Sequence, residues 1–420
     1  NTAGCQGGIF MERSKGYFLM FFLAVAGLSA QEPIRNISVL GLSKTKSYIV
    51  ERPLQVFIGR DTIDTNEVYA LIQSTGVVEP VSIEVTDNPQ GSGKILAVTV
   101  RDKWSIFPIP IATFNSSGWG AGAVFLDTNA FGVNDTMMIV GMYSPGDIMA
   151  SLMYIGTPDG VGKFGWSFTG MFSMRGNESY DQSGKKGELL QRYNSMVINP
   201  AAGLSYSISP FIAASVGLAY KYVGLRDSDN PVNKPENGVH GITFSPTVTM
   251  HWPSIWDGYF LNEKKLSAKY DYTLVVDDAD VHSASVTGTF NHSFIPGFRT
   301  TVNSGLVFAT PSAAPFFTSS PVSAAVNILP TNYYAVDFAG LSLGLEKYLF
   351  KFKFGTLAIS AAYQAVYSNG AFLSNQFDHG PVAMLLLYLN RVAIPGVGLG
   401  GAYNVARNAW QYAVNVGVQF

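Results

Sequence analysis

The sequence predicts a mainly β protein: a transmembrane antiparallel β-barrel preceded by one small α+β domain. Three observations predict it. At the C-terminus Trp410, Tyr412, Val414, Val416, Val418 and Phe420 alternate with Gln411, Ala413, Asn415, Gly417 and Gln419, so one amphipathic strand ends in an aromatic. The same period of two recurs through most of the chain beyond Trp104. Charged residues make up only 13% of the 420 residues, while Gly (43) and aromatics (13%) abound, so something other than water faces much of the surface.

The N-terminus carries an address. From Met11, Arg13 and Lys15 precede a short apolar core from Tyr17 to Ala26, and the small residues Ser29 and Ala30 stand before Gln31. Residues 11–30 thus read as a secretory signal peptide. Cleavage is expected after Ala30, or after Ser29 because Leu28 is a poor residue two before the cut. The apolar run is too short for a membrane anchor. Residues 1–10 read as upstream translation, which leaves Cys5 outside the mature chain. Disulfide and thiol chemistry are then excluded.

Residues 33–104 read as the α+β domain. Ile37 and Val39 alternate with Asn36 and Ser38 in a first strand, and Thr45 is a candidate N-cap for a short helix limited by Pro53. Asp64 and Glu67 have capping-box spacing ahead of Val68, Leu71 and Ile72, which share a helical face. Val81, Ile83 and Val85, then Leu96, Val98 and Val100, alternate with polar or small residues in two strands joined by a turn at 88–93.

Residues 105–420 supply the barrel. Phe164, Trp166, Phe168 and Phe172 alternate with Gly165, Ser167, Thr169 and Ser173; Leu341, Leu343 and Leu345 alternate with Ser342, Gly344 and Glu346. One face suits lipid and the other a polar lumen. A soluble sandwich also alternates, but arrayed aromatics opposite small residues favour a barrel. Beyond the N-terminus no apolar run is long enough for a spanning helix, and a closed barrel is the remaining way to cross a bilayer.

The segments 34–50 (IRNISVLGLSKTKSYIV), 59–61 and 95–110 (ILAVTVRDKWSIFPIP) resemble a POTRA domain, the periplasmic module of the BamA/TamA outer-membrane assembly superfamily. Residues 118–143, with Asp127, Asn129 and Gly132 at a turn, and 341–350, 355–367 and 394–420 resemble that superfamily's barrel. The resemblance implies sixteen strands, a bacterial outer-membrane location with the POTRA domain in the periplasm, and a C-terminal insertion signal. It also implies an assembly or translocation factor that receives unfolded outer-membrane clients through its POTRA domain and assists their insertion at the barrel seam. Val81, Ile83 and Val85 are the candidate client edge, with Ile34–Val39 as the other. The seam is expected between the strand near Phe107–Phe114 and the strand Trp410–Phe420. Implied partners are the lipid bilayer, the clients, and periplasmic chaperones or accessory lipoproteins.

One departure bears on function. Family members carry an Arg-Gly-Tyr or Arg-Gly-Phe motif on a sixth loop that folds into the lumen. The matching stretch here, which includes Leu329, Asn332, Phe338 and Gly340, has no Arg, and none occurs from Thr300 to Asn390. Glu346, matching a family acidic residue, is expected in the lumen without its usual kind of partner. A pore-forming or surface-antigen barrel without insertase activity is the alternative, with Lys269, Asp271 and Glu346 lining its lumen.

Other classes find little support. A net charge of −2 gives no basic footprint for nucleic acid. The glycine runs at 118–122 and 396–401 lie in strand patterns with no helix behind them, so they lack phosphate-cradling geometry. Asp277, Asp278 and Asp280 near His282 read as an exposed loop. No catalytic residue, metal site or cofactor is expected, and a monomer is the default.

Overall fold

The computed structural model describes residues 32–89, 91–115, 118–156, 163–180, 188–257, 260–310, 320–322, 325–330, 333–353, 355–369, 376–389 and 395–416. The signal segment 11–30, Cys5, Asn332, Val418 and Phe420 lie outside the described residues. The chain divides into two compact units between Lys103 and Trp104.

The first unit runs β1 (Ile34–Leu40), α1 (Ser47–Leu54), a 3-10 turn (Gln55–Phe57), α2 (Thr65–Ser74), β2 (Val78–Asp87) and β3 (Lys94–Asp102). β3 is central, parallel to β1 and antiparallel to β2. Leu96, Val98 and Val100 alternate toward the helices and bury against Val50 and Leu54 of α1 and Val68 and Ile72 of α2. Each such side chain contributes about 1.5–3 kcal/mol. Gly41 ends β1 at φ +86°, and a Cβ there would lie 2.2 Å from the Val100 carbonyl oxygen, so only glycine fits.

Two expected caps differ. Lys46, not Thr45, is the N-cap of α1, because the Thr45 hydroxyl and amide both donate to Asp102. Asp64 caps α2 by accepting from the Asn66 amide, but Glu67 turns to Arg60 at 3.0 Å instead of closing a capping box. Asp102 receives the amides of Ser43, Lys44 and Thr45 and both hydroxyls of Ser43 and Thr45. Burial opposes its ionisation, but these donors, led by the Thr45 hydroxyl, outweigh it and hold the carboxyl well below the usual range. The carboxylate thereby ties the β1–α1 loop to the end of β3.

The second unit is a closed antiparallel barrel of sixteen strands among the described residues. They begin with β4 (Ile106–Asn115), β5 (Gly118–Ala130), β6 (Asp135–Ser144), β7 (Asp147–Gly156), β8 (Phe164–Tyr180), β9 (Leu189–Ser209) and β10 (Ile212–Arg226). β11 (Val239–Asp257), β12 (Phe260–Val275), β13 (Val281–Ile295) and β14 (Phe298–Ala309) follow. In the next connection β15 (Ser320–Pro321) and β16 (Tyr334–Ala335) form a separate small pair. The wall resumes with β17 (Asp337–Lys351), β18 (Gly355–Asn369), β19 (Gln376–Leu389), β20 (Pro395–Asn404) and β21 (Ala409–Val416), which closes onto β4. β4 begins at the proximal end of the barrel. Alternation of strand direction then places the β14–β17 connection and the β20–β21 turn at the distal end.

Period-two patterning sorts the two faces. Leu341, Leu343 and Leu345 are 42%, 51% and 48% exposed on the outside, while their neighbours Ser342 and Glu346 are buried inside. Trp166, Phe168, Leu218, Tyr220, Leu266 and Tyr270 also face out. A surface this apolar suits lipid. The expectation of a polar lumen fails on one arc. Ile111, Val124 and Val140, with Ile109, Leu126, Met138, Met142 and Met149, form an apolar cluster on the inner face of β4–β7. On these strands the sequence is apolar on both faces, so alternation of polarity was not there to read.

Candidate functional site in the lumen and at the seam

The β14–β17 connection folds into the barrel. Val322, Val326, Ile328, Leu329 and Tyr333 bury against Val307, Phe338, Val366, Val382 and Ala402 of the inner wall. Small wall residues make room: a Cβ on Gly340 would lie 2.8 Å from the Ala325 Cβ, and one on Gly305 3.0 Å from it. Polar groups are matched as well. The Asn327 amide donates to Gln364 Oε1 at 2.6 Å, and Gln364 Nε2 donates to Ser342 Oγ at 3.1 Å. The Tyr333 hydroxyl meets Ser368 Oγ at 3.2 Å. Leu329, Phe338 and Gly340, singled out from sequence, are thus brought together on one wall.

The segment has no arginine of its own among its described residues, but the barrel supplies one. Arg407, in the β20–β21 turn, grips Asp378 of β19 through Nε at 2.6 Å and the second nitrogen at 2.8 Å. Its guanidinium lies 4.8 Å from the centre of the Tyr333 ring. Both side chains of the pair are nearly enclosed, 8% and 2% exposed. Asn404 completes the knot by donating to Asp378 Oδ1 at 2.9 Å and to the Ile328 carbonyl at 3.3 Å. The next residue of the segment reaches the other way. Arg175 on β8 donates to the Tyr334 hydroxyl at 3.3 Å, and β8 stands across the sixteen-strand circle from β18, where Tyr333 is held. The connection therefore bridges the lumen.

Glu346 is not left without a cationic partner. The β14–β17 register sets Arg299 opposite it, and the two form an ion pair at 2.5 Å. The Tyr388 hydroxyl donates to the other carboxylate oxygen at 2.5 Å, and the Phe260 ring lies 4.8 Å from the Arg299 guanidinium. The partner comes from the adjacent strand, one residue outside the stretch that lacks arginine. Lys269 and Asp271 pair with each other at 2.9 Å. The acidic loop near His282 is used locally: Asp280 accepts from Tyr272, and His282 pairs with Tyr270.

At the seam β21 meets β4 from Ala413 opposite Asn115 to Val416 opposite Ala112 among the described residues, and β4 pairs with β5 along its whole length. Trp410 and Tyr412 face outward, the latter beside Phe114 at 5.9 Å between ring centres. In the first unit β1 and β2 are both sheet edges. The candidate edge is not one regular face, because the β2–β3 register slips between Pro80 and Ser82 and leaves Val81 as a bulge, 62% exposed. Ile83 packs partly on the core, and Val85 is exposed.

A closed barrel of sixteen antiparallel strands, whose last strand returns to its first, defines a recognisable class of fold. Solved structures share it: BamA from Haemophilus ducreyi lacking POTRA domains 1–3 superposes with a TM-score of 0.66 at 12% identity, over 92% of this chain and 84% of that one. CdiB from Escherichia coli matches with a TM-score of 0.65 at 13% identity over 92% and 77%, and CdiB from Acinetobacter baumannii with 0.61 at 14% over 92% and 74%. At such identities the likeness is one of fold. No family model matches the chain, and no curated protein sequence matches it.

Arg407, Asp378, Arg175 and Arg299 were missed in the sequence. Their partners lie far away along the chain and meet only through strand register. A lone Arg in a short turn between two strand patterns was the available signal for Arg407.

Proposed function

We propose that this protein is an outer-membrane assembly or translocation factor. Its first unit serves as a POTRA domain in the periplasm, receives unfolded outer-membrane clients along a sheet edge, and the barrel assists their insertion at the β4–β21 seam. The observation that carries this reading is a closed sixteen-strand wall in which β21 returns to β4, with the sixth distal connection folded into its lumen. Strands parted at that seam offer unpaired N–H and C=O groups to a client. The fold likeness to BamA and CdiB supports it. Those matches cover 92% of the chain, more than the barrel unit alone supplies, so they extend into the first unit. The reading assigns no catalytic step and no cofactor.

Insertion of an unfolded model barrel into liposomes tests it, comparing the intact chain with one lacking residues 32–103. Acceleration that depends on the first unit is the expected result. A folded, liposome-inserted sample that fails to accelerate insertion would leave the pore-forming or surface-antigen barrel as the better reading.

A further inference from the structure

Prolines inside barrel strands leave a readable mark. Alternate residues of an antiparallel strand direct their N–H and C=O to opposite neighbours, and proline has no N–H to give. Each such proline should keep the ladder on one side and interrupt it on the other. Pro200 does so: the β8–β9 ladder runs through it, while β9–β10 pairing jumps from Ala201 to Ile198. Pro246 keeps the β10–β11 ladder and interrupts β11–β12 between Phe244 and Thr247. Pro381 keeps the β18–β19 ladder, and β19–β20 pairing stops beside it at Val382.

On β4 the same reasoning has one outcome. The β4–β5 ladder runs from Ile106 to Asn115 through both Pro108 and Pro110 without a break. The donors facing β5 must then belong to the odd-numbered residues, and both prolines turn their nitrogens toward the seam, the side on which Ala112 and Phe114 meet β21. We infer that the seam is polarised by sequence: the described pairs at Ala112–Asn115 keep their donors and hold, whereas from Phe107 to Ile111 β4 turns only carbonyls toward the seam, and that proximal stretch parts first. A strand added there can donate to the carbonyls of Pro108 and Pro110 but receives no N–H from either residue. Such an edge holds an incoming client strand loosely and lets it go. This rests on the seam reading proposed above.

The test is hydrogen exchange of the full chain in lipid nanodiscs, with no client present, comparing wild type with P108A/P110A. Restored donors should extend that pairing and slow exchange at Ala112, Phe114 and Val414 on the order of tenfold. Pro200→Ala restores a donor elsewhere in the wall and should leave those amides unchanged. If the double variant does not insert, P108A and P110A singly should each give part of the slowing. Unchanged seam exchange in variants that insert, or equal slowing by P200A, overturns the inference. A tightened seam with undiminished client insertion would uphold it while sinking the seam as the place of insertion.

Discussion

At the scale of single residues, two acidic groups do unlike jobs. Asp378 is enclosed, and Arg407 is its bidentate cation. Removing one member of a buried pair strands the other charge, so Arg407→Ala should cost about 3–5 kcal/mol. Arg407→Lys should recover only part of that, because an ammonium cannot span both oxygens. Adding Asp378→Asn to Arg407→Ala should cost less than the two single changes together, which a double-mutant cycle of unfolding in detergent reads directly. Asp102 acts through protonation. Its folded value lies below the ordinary 3.8, so its contribution is complete above the unfolded value and is lost as pH falls toward the folded one. Hydrogen exchange over residues 43–54, corrected for intrinsic rates, should lose protection below about pH 4. Asp102→Asn should be less protected at neutral pH and lack that acid-dependent loss; equal slopes in both proteins would contradict the assignment.

At the scale of elements, the inward-folded connection depends on a wall thinned beneath it. Gly340→Ala places a methyl 2.8 Å from the Ala325 Cβ, an overpacking expected to cost about 1–3 kcal/mol. Ala325→Gly on the same chain should restore most of it, and protease nicking within 325–330 is the readout. This element also marks how far sequence patterning reaches. Alternation revealed β17, since Leu341, Leu343 and Leu345 must face away from Ser342 and Glu346, whereas only the family resemblance located the segment around Leu329 and Phe338. Alternation was silent on the bulge at Val81, which arises where Pro80 disturbs an edge ladder, and on the apolar inner face of β4–β7, where polarity does not alternate. The expected cap at Thr45 failed for a related reason: a hydroxyl that suits a helix start was taken by a carboxylate distant in sequence.

At the scale of the whole molecule, the barrel is a ring whose lumen is crossed by one connection held at opposite walls. Tyr333 is fixed beside Arg407 and Ser368, and Tyr334 beside Arg175. The two anchors differ in strength. The Arg407 side is packed with buried apolar residues and a bidentate ion pair, whereas the Arg175 contact is one long hydrogen bond and a distant approach of the guanidinium, 5.9 Å from the Tyr334 ring centre. Arg175→Ala alone should therefore free the Tyr334 side and leave the segment folded on the β17–β20 wall, giving brief, small conductance events in a planar bilayer. Arg407→Ala alone loosens the packed side but leaves the far tether. Only the double variant removes both, and it should show larger and longer open states than either single change summed, because each anchor limits the excursion the other would allow. Equal conductance in wild type and double variant would mean that the apolar packing of Val322, Ile328 and Leu329 holds the bridge by itself.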